Sequence, residues 1–161
     1  MREGIRFLAT SLILLAAFYY ALGFVAEPLA GVTAALSQFA LGALGEQTQL
    51  EWSAGTPHLV NERIDAEIGE LCWGRLELAV LAATILASVD RSRRQRLAGV
   101  ALGAVLALGV FNPLRIAVSA RWVNEFVHDV LFRATLLALL VGFYALWYLA
   151  LTRGNGVLSR A

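Results

Sequence analysis

The sequence predicts an all-α polytopic membrane protein with about four transmembrane helices, one amphipathic or shallow helix and a small outer β-hairpin-like segment. Three observations lead there. Of the 161 residues, 59% are hydrophobic and only 16% are charged, with a mean hydropathy of +0.69, too apolar for an ordinary soluble domain. Four apolar runs approach the roughly 20 residues that a helix needs to cross a bilayer at ~1.5 Å of rise per residue. All 13 basic residues are arginine, and they are shared unevenly between the connections. One domain, 1–161, is expected at this length.

The first span is placed at 5–26, ending at Glu27-Pro28, and with no convincing small-residue cleavage site it reads as an anchor. An outer segment, 27–71, follows. Its stretch 29–44 is rich in glycine and alanine but contains Ser37 and Gln38, which fits a helix lying on the surface or tucked shallowly into the bundle. Next, TQLEW and HLVNERI alternate in part and are separated by SAGTP, the pattern of a β-hairpin or two short strands. A hairpin so small needs the bundle to support it. The remaining spans are placed at 72–89, 97–114 and 127–151. The third carries Gly99, Gly103 and Ala107 at four-residue spacing, a face that permits close helix approach, chiefly for internal packing.

Arginine placement sets the orientation. If four spans alternate, Arg2, Arg6, Arg91, Arg93, Arg94, Arg96, Arg153 and Arg160 share one side with only Glu3 and Asp90 as acids. The positive-inside rule puts that side in the cytoplasm. The expectation is a multi-pass protein of the cell (inner, cytoplasmic) membrane with both termini inside and lipids as its surroundings.

Other classes are disfavoured. A net charge of +1 offers no basic surface for nucleic acid. A single cysteine excludes an internal disulfide, a cysteine metal cluster and a two-cysteine redox relay. No cofactor or metal is expected.

Three residues in different spans converge at the outer face. Cys72 lies 18 residues before Asp90, and Arg115 lies 18 residues after Leu97. Either count gives about 27 Å of helix, close to the hydrocarbon thickness. His128 opens the fourth span. Each has an ordinary reading: a small apolar side chain, a snorkelling anchor beside an Asn112-Pro113 kink, and a headgroup-level polar residue. Together they supply a nucleophile, a fixed cation and a titratable base. Cys72, read as the start of a helix, gains thiolate character from the helix dipole. Arg115 can add positive charge or stabilise an oxyanion, and His128 can take the thiol proton and return it to a leaving amine.

Neighbouring residues complicate the assignment. Arg75, three residues after Cys72, can serve as the thiolate's cation instead. Glu77 turns that part of the helix toward protein or water. Arg133 and Asp129 are spaced as a structural pair, and Arg121 with Glu125 as a surface pair. His58, beside Pro57 in an expected turn, is a weaker rival base.

Three fragments, ELCWG with Cys72 and Gly74, FNPLRIAV with Asn112 and Arg115, and FVHDVLF with His128, occur in this order, each expected at the outer end of a span. In this the chain resembles the exosortase/archaeosortase family of integral-membrane cysteine transpeptidases, over about residues 59–150. Trp73 departs from the small residue often found there in the family. The resemblance implies a protease or transpeptidase acting on exported proteins that bear a C-terminal signal helix. Cys72 would form a thioester, Arg115 would stabilise developing negative charge and His128 would shuttle the proton, with Arg75, Asn112 and Arg133 as supporting candidates. The alternatives are a non-catalytic membrane subunit binding a partner helix or lipid, and a small transporter component with an outer solute site. Neither accounts for three such residues at one depth.

Overall fold

The computed structural model describes residues 2–70, 72–122 and 132–158. It is mainly helical, with one small antiparallel sheet. In order come α1 (Arg2–Gly23), α2 (Ala26–Ala43), β1 (Gln49–Ser53), β2 (Thr56–Val60), β3 (Asp65–Glu67), α3 (Arg75–Ala87), α4 (Arg93–Leu106), a π-helical turn (Ala107–Phe111), α5 (Asn112–Arg121) and α6 (Phe132–Leu158). Two tiers result: a bundle of α1, α3, α4 and α6, and a cap in which α2 packs on α5 and the sheet.

The cap follows from local signals. Helix α2 buries Ala30, Thr33, Ala34, Ser37 and Leu41, a single stripe at helical spacing. Strands β1 and β2 form the expected hairpin, closed by Ala54 and Gly55 with φ of 49° and 83°. Two positive φ values in a two-residue loop match the twist of the flanking strands. The third strand was not expected. Asn61 makes it by accepting from the main-chain N–H groups of Arg63 and Ile64 at 2.8 and 2.7 Å, which turns the chain back onto β2. Pro57 joins this pairing through its carbonyl alone, accepting from Ile68 at 2.9 Å. Leu59, Ile64 and Ile68 then meet Ala34, Leu41, Ile116 and Ala117 in the cap core, against which Cys72 packs.

In the bundle, Leu81, Ile85, Ala107 and Leu140 form a second core flanked by Phe143, Tyr144 and Trp147. Glycines set the helix spacing. A β-carbon at Gly99 would lie 2.6 Å from Trp147 Nε1, and one at Gly103 would lie 2.6 Å from Leu81 Cδ2 and 2.9 Å from Phe143 Cε1.

Element boundaries differ from the expected spans in ways that matter for the site. The second span, expected over 72–89, is a helix of 13 residues. At ~1.5 Å per residue this is about 20 Å, short of a full crossing. Gly74, in the left-handed region at φ 87°, breaks the helix at its start, so Cys72 lies in the preceding turn and not on α3. The third span starts earlier than residue 97, because Ser92 and Gln95 form a capping box. It also runs on past Pro113, giving 29 continuous helical residues from Arg93 to Arg121. The π turn makes that possible. Asn112 N–H reaches back five residues to Ala107 O, and the altered register accommodates a proline that lacks a donor. Against the expected 127–151, the described part of the fourth helix runs from Phe132 and continues to Leu158.

Among the described residues two helices, Arg2–Gly23 and Arg93–Arg121, are long and apolar enough to cross a membrane. α1 buries none of its residues, and Ile13 and Tyr20 are 71% and 72% exposed. An apolar helix with an open face points to a membrane-associated chain.

Candidate active site

The site is built from the turn before α3 and the face of α5. Cys72 N–H donates to Gly69 O at 2.9 Å, while Trp73 is buried behind it. Gly74 supplies the left-handed residue that redirects the chain into α3. The thiol-bearing residue is therefore held on a tight turn, half-buried against the cap core.

Two side chains of α5 converge on this turn. Asn112 Nδ2 donates to the Cys72 carbonyl at 2.8 Å, and Arg115 Nη2 donates to the same oxygen at 3.0 Å. Arg115 Nε also donates to Asn112 Oδ1 at 3.0 Å. Residues three apart share a helix face, so the Asn-Pro-x-Arg spacing makes this double clamp. Asn112 is only 1% exposed, and a buried amide is costly unless bonded; here both ends of its amide are used. The preceding π turn sets the rotation of α5 and so decides which face meets Cys72. Such turns concentrate at functional sites.

The structure thus brings together Cys72, Arg115 and Asn112 from segments 40 or more residues apart. Charge is fixed beside the turn by a guanidinium that bonds the main chain of Cys72 and the Asn112 amide. Arg115 does not end a span, as the depth count expected; it lies within α5, and the helix continues to Arg121. His128 lies outside the described residues, as do Asp129 and Glu125. Arg133 falls in the first turn of α6, and its side chain is also outside the described set.

Other candidates go elsewhere. Arg75 Nε donates to the Tyr19 carbonyl at 2.9 Å and Nη1 to Glu70 Oε1 at 3.1 Å, so its guanidinium faces α1. His58 is in β2, not in a turn, and its Nδ1 is 3.2 Å from Asp65 Oδ1. Arg121 binds Leu44 O at 2.7 Å and Glu46 Oε1 at 2.9 Å, tying the end of α5 to the end of α2. Sequence reasoning missed Gly23, Tyr19 and Glu70 as neighbours of the Cys72 turn. A carbonyl on a helix 56 residues away leaves no local signature.

In comparisons with protein families, curated proteins and solved structures, nothing matches the chain.

Proposed function

We propose that this protein is a membrane-embedded cysteine protease or transpeptidase of the exosortase/archaeosortase kind, acting on exported proteins with a C-terminal signal helix. One observation carries the reading: two donors from α5, Asn112 and Arg115, meet on the carbonyl of the chain's single cysteine. The tight turn holds the chain's thiol and Arg115 places a fixed positive charge beside it, two of the parts that acyl transfer uses.

In the proposed reaction His128 takes the thiol proton of Cys72, and the thiolate attacks the scissile carbonyl. Arg115 stabilises the oxyanion. The carbon–nitrogen bond then breaks, His128 protonates the leaving amine, and a thioester remains. An amine, a hydroxyl or water attacks the thioester and releases the thiol. A signal helix in the membrane beside the bundle presents its juxtamembrane residues to Cys72 in a restricted orientation, which supplies part of the proximity effect. The proposed topology has four membrane passages, both termini in the cytoplasm and the Cys72 turn facing outward in the cell membrane. α3 makes its passage together with its flanking turns.

A second reading is favoured by the bonds themselves. They end on the main chain of Cys72, as a purely architectural staple in a non-catalytic subunit would. Co-expression with candidate substrates bearing C-terminal signal helices separates the two. Processing by wild type and its loss in Cys72→Ala, with a thioester adduct seen by intact mass, is the expected outcome. Processing undiminished in Cys72→Ala removes Cys72 as the nucleophile and leaves the staple.

A further inference from the structure

The Cys72 turn is held from a second side, by a contact that depends on an unrelated helix. Arg75 is the first residue of α3, and its side chain is only 12% exposed. Besides donating to Tyr19 O at 2.9 Å, its guanidinium lies 4.1 Å over the Tyr19 ring. Tyr19 belongs to the last turn of α1. A carbonyl has two lone pairs, so this oxygen can serve its own helix and Arg75 at once. The Glu70 to Arg75 ion pair closes the segment around Cys72 like a clasp. Glu70 is 65% exposed, so that pair alone holds little. The stronger tether is the charged hydrogen bond and ring contact to α1.

Glycine at position 23 makes this tether possible. A β-carbon there would lie 2.5 Å from Arg75 Nη2 and 3.2 Å from Cζ. A β-carbon at position 23 would therefore push the guanidinium out of its present seat. Glycine at a helix end ordinarily supplies a left-handed cap, but Gly23 does not adopt a positive φ, so capping does not account for it.

We propose that Arg75 is a positioning residue for Cys72, a latch fastening the thiol-bearing turn to α1, and that Gly23 leaves the space in which its guanidinium seats. Asn112 and Arg115 hold the turn from α5, and Arg75 holds it from α1. Arg75 therefore acts through the turn's geometry and not as the thiolate's counter-ion. Its catalytic consequence rests on the acyl-transfer reading above, whereas the latch can be tested on the thiol alone.

With one cysteine in the chain, maleimide labelling reports on Cys72 only. The full-length protein in detergent is compared with Arg75→Met, Gly23→Ala and the double variant. Losing a charged hydrogen bond that restrains local opening accelerates labelling by about tenfold in each single variant. The double variant labels no faster than Arg75→Met, because both changes remove the same contact. Gly23→Ala adds one methyl group to an otherwise intact chain, so it remains informative if Arg75→Met fails to fold. In the processing assay kcat falls about tenfold or more with KM unchanged, as expected for a displaced nucleophile. Labelling rates equal to wild type in both single variants, additive acceleration in the double, or faster labelling with unchanged kcat would each overturn the proposal. Absence of processing even in wild type counts against the acyl-transfer reading, while the labelling rates still decide the latch.

Discussion

Both ends of the bundle use arginines as donors to main-chain carbonyls, yet the two ends are built differently. At the end away from Cys72, Arg91 Nη2 reaches Tyr148 O at 3.2 Å, and Arg96 Nη1 reaches Leu86 O at 2.7 Å. The first bond ties the segment between α3 and α4 to α6, and the second ties the first turn of α4 to the end of α3. At the other end two side chains from one face of α5 meet on a single carbonyl, that of the thiol-bearing residue. Single donors fasten helices. Convergent donors, one of them on a fully buried amide, fix one residue's position, at the cost of committing a second side chain to a task that packing alone does not require.

The sharpest way to break this contrast is to keep the charge and remove the fork. Arg115→Lys retains a cation but cannot bond the Cys72 carbonyl and Asn112 Oδ1 together in the same plane. Processing is expected to fall by about 100-fold or more, the scale seen when an oriented donor is lost from an acyl-transfer site. Arg96→Lys at the opposite end should leave processing within about twofold, since a lysine can still donate to one carbonyl. Equal losses in the two variants, measured on the same co-expressed substrate, would erase the distinction.

Legibility in the sequence divides along the same line. Local patterns were readable: the hairpin from its alternation around SAGTP, α2 from its small buried stripe, and the close packing of Gly99 and Gly103. Counting along spans brings Cys72, Arg115 and His128 to one face; the structure joins Cys72 to Arg115, adds Asn112, which no count predicts, and leaves His128 outside the described residues. The element boundaries differ from those the counts assume. Cys72 lies off the helix because Gly74 turns the chain, and Arg115 lies within a longer helix because the π turn carries it past Pro113. The Ser92 to Gln95 box was visible in the sequence and moves the start of α4 to Arg93, away from the expected 97. The destinations of Arg75 and Arg91 were not visible. Both bind carbonyls on distant helices, and a carbonyl acceptor looks the same under every residue type. Arg91, expected in a short cytoplasmic loop, is 8% exposed.

The bundle offers a second way to sharpen the contrast, with an intermediate effect. Gly99→Val forces bulk against the Trp147 indole, where a β-carbon alone already comes within 2.6 Å. Overpacking of this kind costs about 1–3 kcal/mol. Thermal unfolding in detergent should shift down accordingly. Processing per folded molecule, and the labelling rate of Cys72 in the folded state, should hold, because the α5 clamp lies at the far end of the same helix. A change in labelling with unchanged unfolding would show that the site senses bundle packing.

The smallest effect is expected where the fastening is most redundant. Tyr148 donates its hydroxyl to Asp90 Oδ2 at 2.7 Å, while its ring lies 4.0 Å under the Arg91 guanidinium. Tyr148→Phe removes the hydroxyl and keeps the ring, and Arg91 keeps both Tyr148 O and its own 3.3 Å contact with Asp90. Asp90 is 51% exposed, so water can replace the lost donor. The net cost is expected to be under ~1 kcal/mol, read as a small shift in thermal unfolding, with processing and Cys72 labelling at wild-type rates. This variant is the control on which the comparison depends. If removing one exposed hydroxyl at the fastening end altered the chemistry of Cys72, the two ends would be coupled through α3, and the division into fasteners and a positioned nucleophile would fail.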